Sequence, residues 1–220
     1  YGDHRYLPSF PTRRSSDLVN GFNSLQILSD KKCTPFDVNR DGLNLGEAAA
    51  FIILEASDNF KSKKKYGKVL GAGNSNDAFH ASSLSDEAIG VQKCMQLALK
   101  DAGITSDKID YINAHGTGTP NNDQVEVTGF TKIFDKIPPF SSTKSYTGHT
   151  LAASGAVEAV FSLLSLNNNE LYPNLHTSSP IEEAKPALIQ EFNPQIQINT
   201  IMSNSYGFGG NCTSLIFSKA

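Results

Sequence analysis

The sequence predicts an α/β protein, and three observations carry that reading. Strand-like and helix-like segments alternate from residue 67 to the C-terminus. Three glycine-containing loops, 115–120, 143–149 and 206–210, each follow a strand-like run, where α/β proteins build their sites. The composition is that of a globular domain, with 39% hydrophobic and 19% charged residues among 220.

The elements follow in chain order. Residues 1–18 show no apolar period and no signal-peptide core. Within them SFPTRRSSDL (9–18) resembles the in-frame translation of a sequencing-library adapter, so residues 1–18 are set aside as non-native and fold reasoning starts at Val19. Residues 46–54, GEAAAFIIL, read as a buried strand and the charged stretch 55–65 as a short helix, with the lysine run at 61–65 its solvated end. Residues 67–74, GKVLGAGN, read as a strand whose glycines signal a bend or a close backbone approach. Residues 86–102 place Ala88, Val91, Met95, Ala98 and Ala102 on one helical face, with Ser85 as N-cap and Gly103 closing the end.

A short strand at 109–113 runs into His115-Gly-Thr-Gly-Thr-Pro120, and 123–134 reads as a helix capped by Asp123. A strand at 139–142 leads to Lys144 and His149. The apolar helix 152–166 follows, expected to bury Ala153, Ala156, Val160 and Leu164. Strands at 201–204 and 214–217 flank Tyr206-Gly-Phe-Gly-Gly210.

Several function classes drop out. No apolar run approaches the ~18 residues of a membrane span. A formal charge of −3 offers no cationic face for nucleic acid. Cys33, Cys94 and Cys212 are odd in number, widely spaced and form no CxxC, which fits a reducing, cytoplasmic setting without disulfides or structural zinc. Asp37-Val-Asn-Arg-Asp-Gly42 begins like a calcium loop, but its twelfth position is Ala48 and Glu47 stands one residue early, so calcium is not expected. His80, His115 and His149 match no zinc spacing, and no phosphate-binding glycine motif is present. Spacing alone does not name a reaction for His115, Lys144, His149 and Phe208.

A resemblance does. NAHGTGTP (113–120), SSTKSYTGH (141–149) and NSYGFGG (204–210), in this order, resemble the β-ketoacyl-acyl-carrier-protein synthases; FDVNRDGLNLGE (36–47) and SNDAFH (75–80) resemble upstream motifs of that family. The resemblance implies a thiolase-like fold in layered αβαβα order, with 19–64 ending the N-terminal half and 65–220 forming the C-terminal domain. It implies a decarboxylative Claisen condensation between malonyl-acyl-carrier protein and an acyl group held on a cysteine, without cofactor or metal. His115 and His149 would bind the enolate oxygen, Lys144 would order them, and Glu126 would be the buried acid compensating Lys144. The backbone N–H of Phe208 would complete a thioester oxyanion hole while its ring gates the acyl pocket. Thr117, Thr119 and Gly209 join Phe208 as implied substrate contacts.

Family members are about twice this length, and their nucleophilic cysteine lies upstream of the position of Val19. The chain therefore resembles a C-terminal half that does not condense acyl groups alone. The implied partner is acyl carrier protein, and the full-length family is homodimeric. Gly118 in HGTGTP is closer to the loop of polyketide or aryl-polyene relatives, Asn121-Asn122-Asp123 departs from the commoner pattern, and a non-catalytic chain-length-factor-like partner is a further alternative.

Overall fold

The structure, a computed structural model, describes residues 11–56 and 64–220. Its elements are α1 (Pro11–Ser24), β1 (Lys68–Asn76), α2 (Ile89–Ala102), β2 (Tyr111–Asn113), α3 (Pro120–Ile133), β3 (Phe140–Ser141), α4 (Lys144–Thr147), α5 (Ser154–Asn168), β4 (Glu170–Leu171), β5 (Asn193–Pro194), β6 (Thr200–Gly207) and β7 (Asn211–Ser218). Five strands form a mixed sheet in the order β1-β7-β6-β2-β3, and β4 pairs with β5 separately. The pairs β1–β7 and β7–β6 are antiparallel; β6–β2 and β2–β3 are parallel.

Period-two alternation assigns the two faces of the sheet. Ile112, Met202 and Ile216 point to a core built with Val91, Cys94, Met95 and Ala98 of α2 and Val125, Val127 and Phe130 of α3. Their neighbours Tyr111, Ile201 and Phe217 point the other way, against Ala159 and Leu166 of α5. The register agrees, because Ile201 pairs with Phe217 and Met202 with Ile216. The sheet is thus covered on both faces, as expected. The glycines of β1 serve close approach: a Cβ on Gly73 would lie 1.9 Å from the Cys94 carbonyl of α2.

Four local expectations need correction. Residues 46–54 form no strand, and Phe51 and Ile53 are 92% and 89% exposed. A strand needs a neighbour to satisfy its backbone, and here the pairing stops at the bridge from Leu45 to His149 and the Gly46 N–H bond to the His149 carbonyl. On α5 the buried residues include Ser154, Glu158, Ser162 and Ser165, while Leu164 is exposed. Glu158 and Ser162 on this face find partners across the interface in Lys144 and Asn113, which turns that face inward in place of the apolar stripe. Helix α3 starts three residues before Asp123, with Pro120 at its first turn; α2 starts at Ile89 with Ala88 as its cap, although the Ser85 hydroxyl does accept the Ile89 N–H at 3.3 Å. Helix α1 runs through 11–18, part of the segment set aside as non-native. The expected helix at 55–65 lies mostly outside the described residues.

Candidate functional site

Strand β2 delivers the first histidine loop, and two carboxylates of α3 hold it. Glu126 accepts the N–H of His115 (2.9 Å) through one oxygen and that of Gly116 (2.8 Å) through the other. Asp123 accepts the N–H groups of Thr117 and Gly118 at 3.0 and 3.1 Å. These bonds turn the chain sharply at the sheet's end and aim the His115 ring across it. Burial drives the Glu126 carboxyl up to about 8, against the pull of its two N–H donors.

Helix α4 brings Lys144 under that ring. The ammonium donates to the His115 carbonyl (2.6 Å), to His115 Nδ1 (3.1 Å) and to Glu158 on α5. Its three N–H groups are thereby used. The acid that meets Lys144 is Glu158 and not Glu126, which corrects the expected pairing. Glu158 also accepts from the hydroxyls of Ser154 (2.9 Å) and Ser205 (3.3 Å). Burial pushes its carboxyl up and Lys144 pulls it back. The sequence signal for Glu158 was present: a lone acid inside an otherwise apolar helix.

The second histidine lies between α4 and α5. The rings of His115 and His149 stand edge to face, 5.3 Å between centroids and 87° between planes. The Leu151 N–H donates to His149 Nδ1 at 3.2 Å, and Lys144 donates to His115 Nδ1. Both Nδ1 atoms therefore act as acceptors, and each ring carries its proton on Nε2. Burial, then Lys144, then the second imidazole hold His115 well below the usual histidine range. Burial and Lys144 bring His149 down to about 3. Two neutral N–H donors result, with burial and Lys144 as the leading causes.

Both histidines line a cleft of about 360 Å³ with Leu151, Gly155, Ser205 and Tyr206. Tyr206, whose ring stands 5.4 Å from that of His115, carries no signal in the sequence beyond its place in the glycine loop; its hydroxyl is buried and bonds none of the described residues. Gly207 borders the cleft, and Phe208 begins the turn beyond it, 48% exposed and stacked on Phe22 at 5.7 Å. Gly209 donates to the Ala81 carbonyl at 2.8 Å, and Asn76 Nδ2 donates to the Gly209 carbonyl at 2.9 Å. The hydroxyls of Thr117 and Thr119 bond each other at 2.8 Å, and neither residue lines the cleft. All three cysteines are buried, with burial pushing their thiols up to about 12, 11 and 12 for Cys33, Cys94 and Cys212. Such thiols are poor sources of thiolate. Among the described residues no cluster of His, Cys, Asp and Glu could hold a metal ion, and no helix is long and apolar enough to cross a membrane.

Comparison with known proteins fits this arrangement. Residues 66–178 match the β-ketoacyl synthase C-terminal domain. A 3-oxoacyl-[acyl-carrier-protein] synthase 2 of Rhizobium meliloti is 41% identical over 211 residues, covering 90% of this chain and 50% of that protein. Among solved structures, a type II polyketide acyl-carrier protein in complex with its ketosynthase bound to the hexaketide superposes with a TM-score of 0.87 at 27% identity, covering 92% of this chain and 52% of that one. The ketosynthase ApeO, in complex with its chain length factor ApeC from Xenorhabdus doucetiae, gives 0.78 at 38% identity, with 92% and 50% covered. The fold is that of these thiolase-like ketosynthases, and the chain spans about half the length of the curated relatives it matches.

Proposed function

The chain belongs to the β-ketoacyl synthase family, and from that premise we propose that it carries the decarboxylation half of a condensing enzyme's active site. The observation behind this reading is the pair of neutral imidazoles, 5.3 Å apart on one cleft, each with its proton on Nε2. In the proposed step a malonyl thioester, carried by acyl carrier protein, loses CO₂. The breaking C–C bond leaves its electron pair on the α-carbon, delocalised onto the thioester oxygen as an enolate. His115 and His149 donate their Nε2–H to that oxygen, where charge grows in the transition state. Lys144 sits behind His115, disfavours its protonation and supplies a fixed positive field. Glu126 and Asp123 keep the loop shaped for this donation.

The α-carbon then attacks an acyl thioester, expelling a thiolate. We assign that thiol to a segment outside this chain, because Cys33, Cys94 and Cys212 are buried and protonated. Phe208 and Gly209 follow Gly207, which borders the cleft, and we assign the Phe208 ring the gating of the acyl chain. The solved relative bound to a hexaketide favours a polyketide-type product as a second reading; product analysis separates it from fatty-acid elongation. The direct test is release of CO₂ from malonyl-acyl-carrier protein by a polypeptide extended upstream to the full length of its relatives. His115→Ala and His149→Ala should each lower the rate by at least about a hundredfold. Unchanged release by either variant overturns the assignment.

A further inference from the structure

The run 33–46 contains the calcium-like motif and has no part in the chemistry above, yet it lies against both histidine loops. On the His115 side, Arg40 is the centre. Its Nε donates to the Thr119 carbonyl (3.2 Å), Nη2 to the Pro120 carbonyl (2.6 Å) and Nη1 to the Asp37 carbonyl (2.8 Å). Its guanidinium stands 3.9 Å from the Asp123 carboxylate. Around it the Gly42 N–H donates to the Gly118 carbonyl (3.0 Å), and the Phe36 N–H to Asp123 (2.8 Å). On the His149 side, the Asn44 carbonyl accepts the His149 N–H at 2.7 Å, and the Gly46 N–H donates to the His149 carbonyl at 3.0 Å. The back of the run is tied down separately. Asp37 accepts the N–H groups of Ser178 and Ser179, each at 2.8 Å.

We infer that residues 33–46 form a strap that sets the separation and orientation of the two imidazoles, with Arg40 the positioning residue for His115 and Gly46 for His149. Significance for catalysis rests on the enolate-binding reading above; the structural claim does not. Three carbonyls at fixed angles need a planar fork of donors, which a lysine ammonium cannot supply. At Gly46 the constraint is steric: a Cβ would lie 2.0 Å from the Thr147 carbonyl oxygen, so any side chain must drive the His149 loop away. Of the acids of the calcium-like motif, Asp37 accepts backbone N–H groups and Asp41 accepts the Ser29 hydroxyl, so both have protein donors.

The test uses the 220-residue chain with ¹⁵N-labelled histidine, comparing the wild type with Arg40→Lys and Gly46→Ala. In the wild type both site histidines should report the neutral Nε2–H form down to pH 5. Arg40→Lys should shift the His115 ring signals, and speed exchange of the Gly116 and Gly118 amides at least tenfold, leaving His149 in place. Gly46→Ala should do the reverse. Amides of α2 and β7 should keep their protection in both. Unmoved histidine signals in both variants overturn the strap. So does loss of α2 and β7 protection along with the loops, which would mark the run as general scaffolding. In the extended polypeptide, Arg40→Lys should lower kcat for CO₂ release by about 10- to 100-fold with KM unchanged. If His115→Ala leaves CO₂ release intact while Arg40→Lys still shifts the His115 signals, the enolate reading fails and the strap stands.

Discussion

His115 and His149 face the same cleft but are held by different means. The His115 ring is 4% exposed, and it takes its tautomer from a buried ammonium; the backbone at 115–118 hangs on two carboxylates of α3. The His149 ring is only partly buried and takes its tautomer from a backbone N–H, while its own backbone pairs with residues 44 and 46. One donor therefore depends on buried charge, the other on backbone placement. Changes of charge should strike His115 first, and changes of shape His149.

The largest break in this comparison should come from Lys144→Met. It leaves Glu158 buried without its cation and His115 Nδ1 without a donor. A loss of about 3–5 kcal/mol is expected in urea unfolding, with the His115 tautomer signal changed and that of His149 retained. A loss below about 1 kcal/mol would show that the ion pair is not the anchor of this loop.

An intermediate effect should appear in the pH dependence of stability. His149, held down to about 3, resists a proton that the unfolded chain accepts near 6.5. Its contribution is complete above pH 6.5 and is lost as pH falls toward 3; His115 acts in the same direction. Glu126 runs the other way. With its carboxyl raised from 4.5 to about 8, its contribution is complete below 4.5 and is lost as pH rises toward 8. Thermal melts at a series of pH values should flatten on the acid side in His149→Asn, and between pH 4.5 and 8 in Glu126→Gln. Parallel curves for wild type and variants would contradict both assignments.

The smallest effect should come from Tyr206→Phe. Its hydroxyl is buried without a recorded partner, so removing it should be neutral or stabilising by up to about 1 kcal/mol. Destabilisation above that would reveal a bond the hydroxyl makes in solution.

Much of this was legible in the sequence where the cause is local. The strands at 67–74, 201–204 and 214–217, the helix closed by Gly103 and the two histidine loops all follow from short-range pattern and turn chemistry. Misreadings arose where a distant partner overruled that pattern. The run 46–54 has strand composition yet pairs with no strand among the described residues, and α5 turns a polar stripe inward because Lys144 and Asn113 wait there. Thr117 and Thr119 stand in a recognisable motif, yet their hydroxyls bond each other away from the cleft.

By itself, the order of residues determined which elements exist and which side chains carry reactive groups, because periodicity, capping and turn preference act within a few positions. Only the tertiary structure decided who meets whom. Lys144 chose Glu158 over Glu126, and Arg40 reached Thr119 across 79 positions of chain. A buried charge must find its counterpart in space, and no local pattern encodes which one lies within reach.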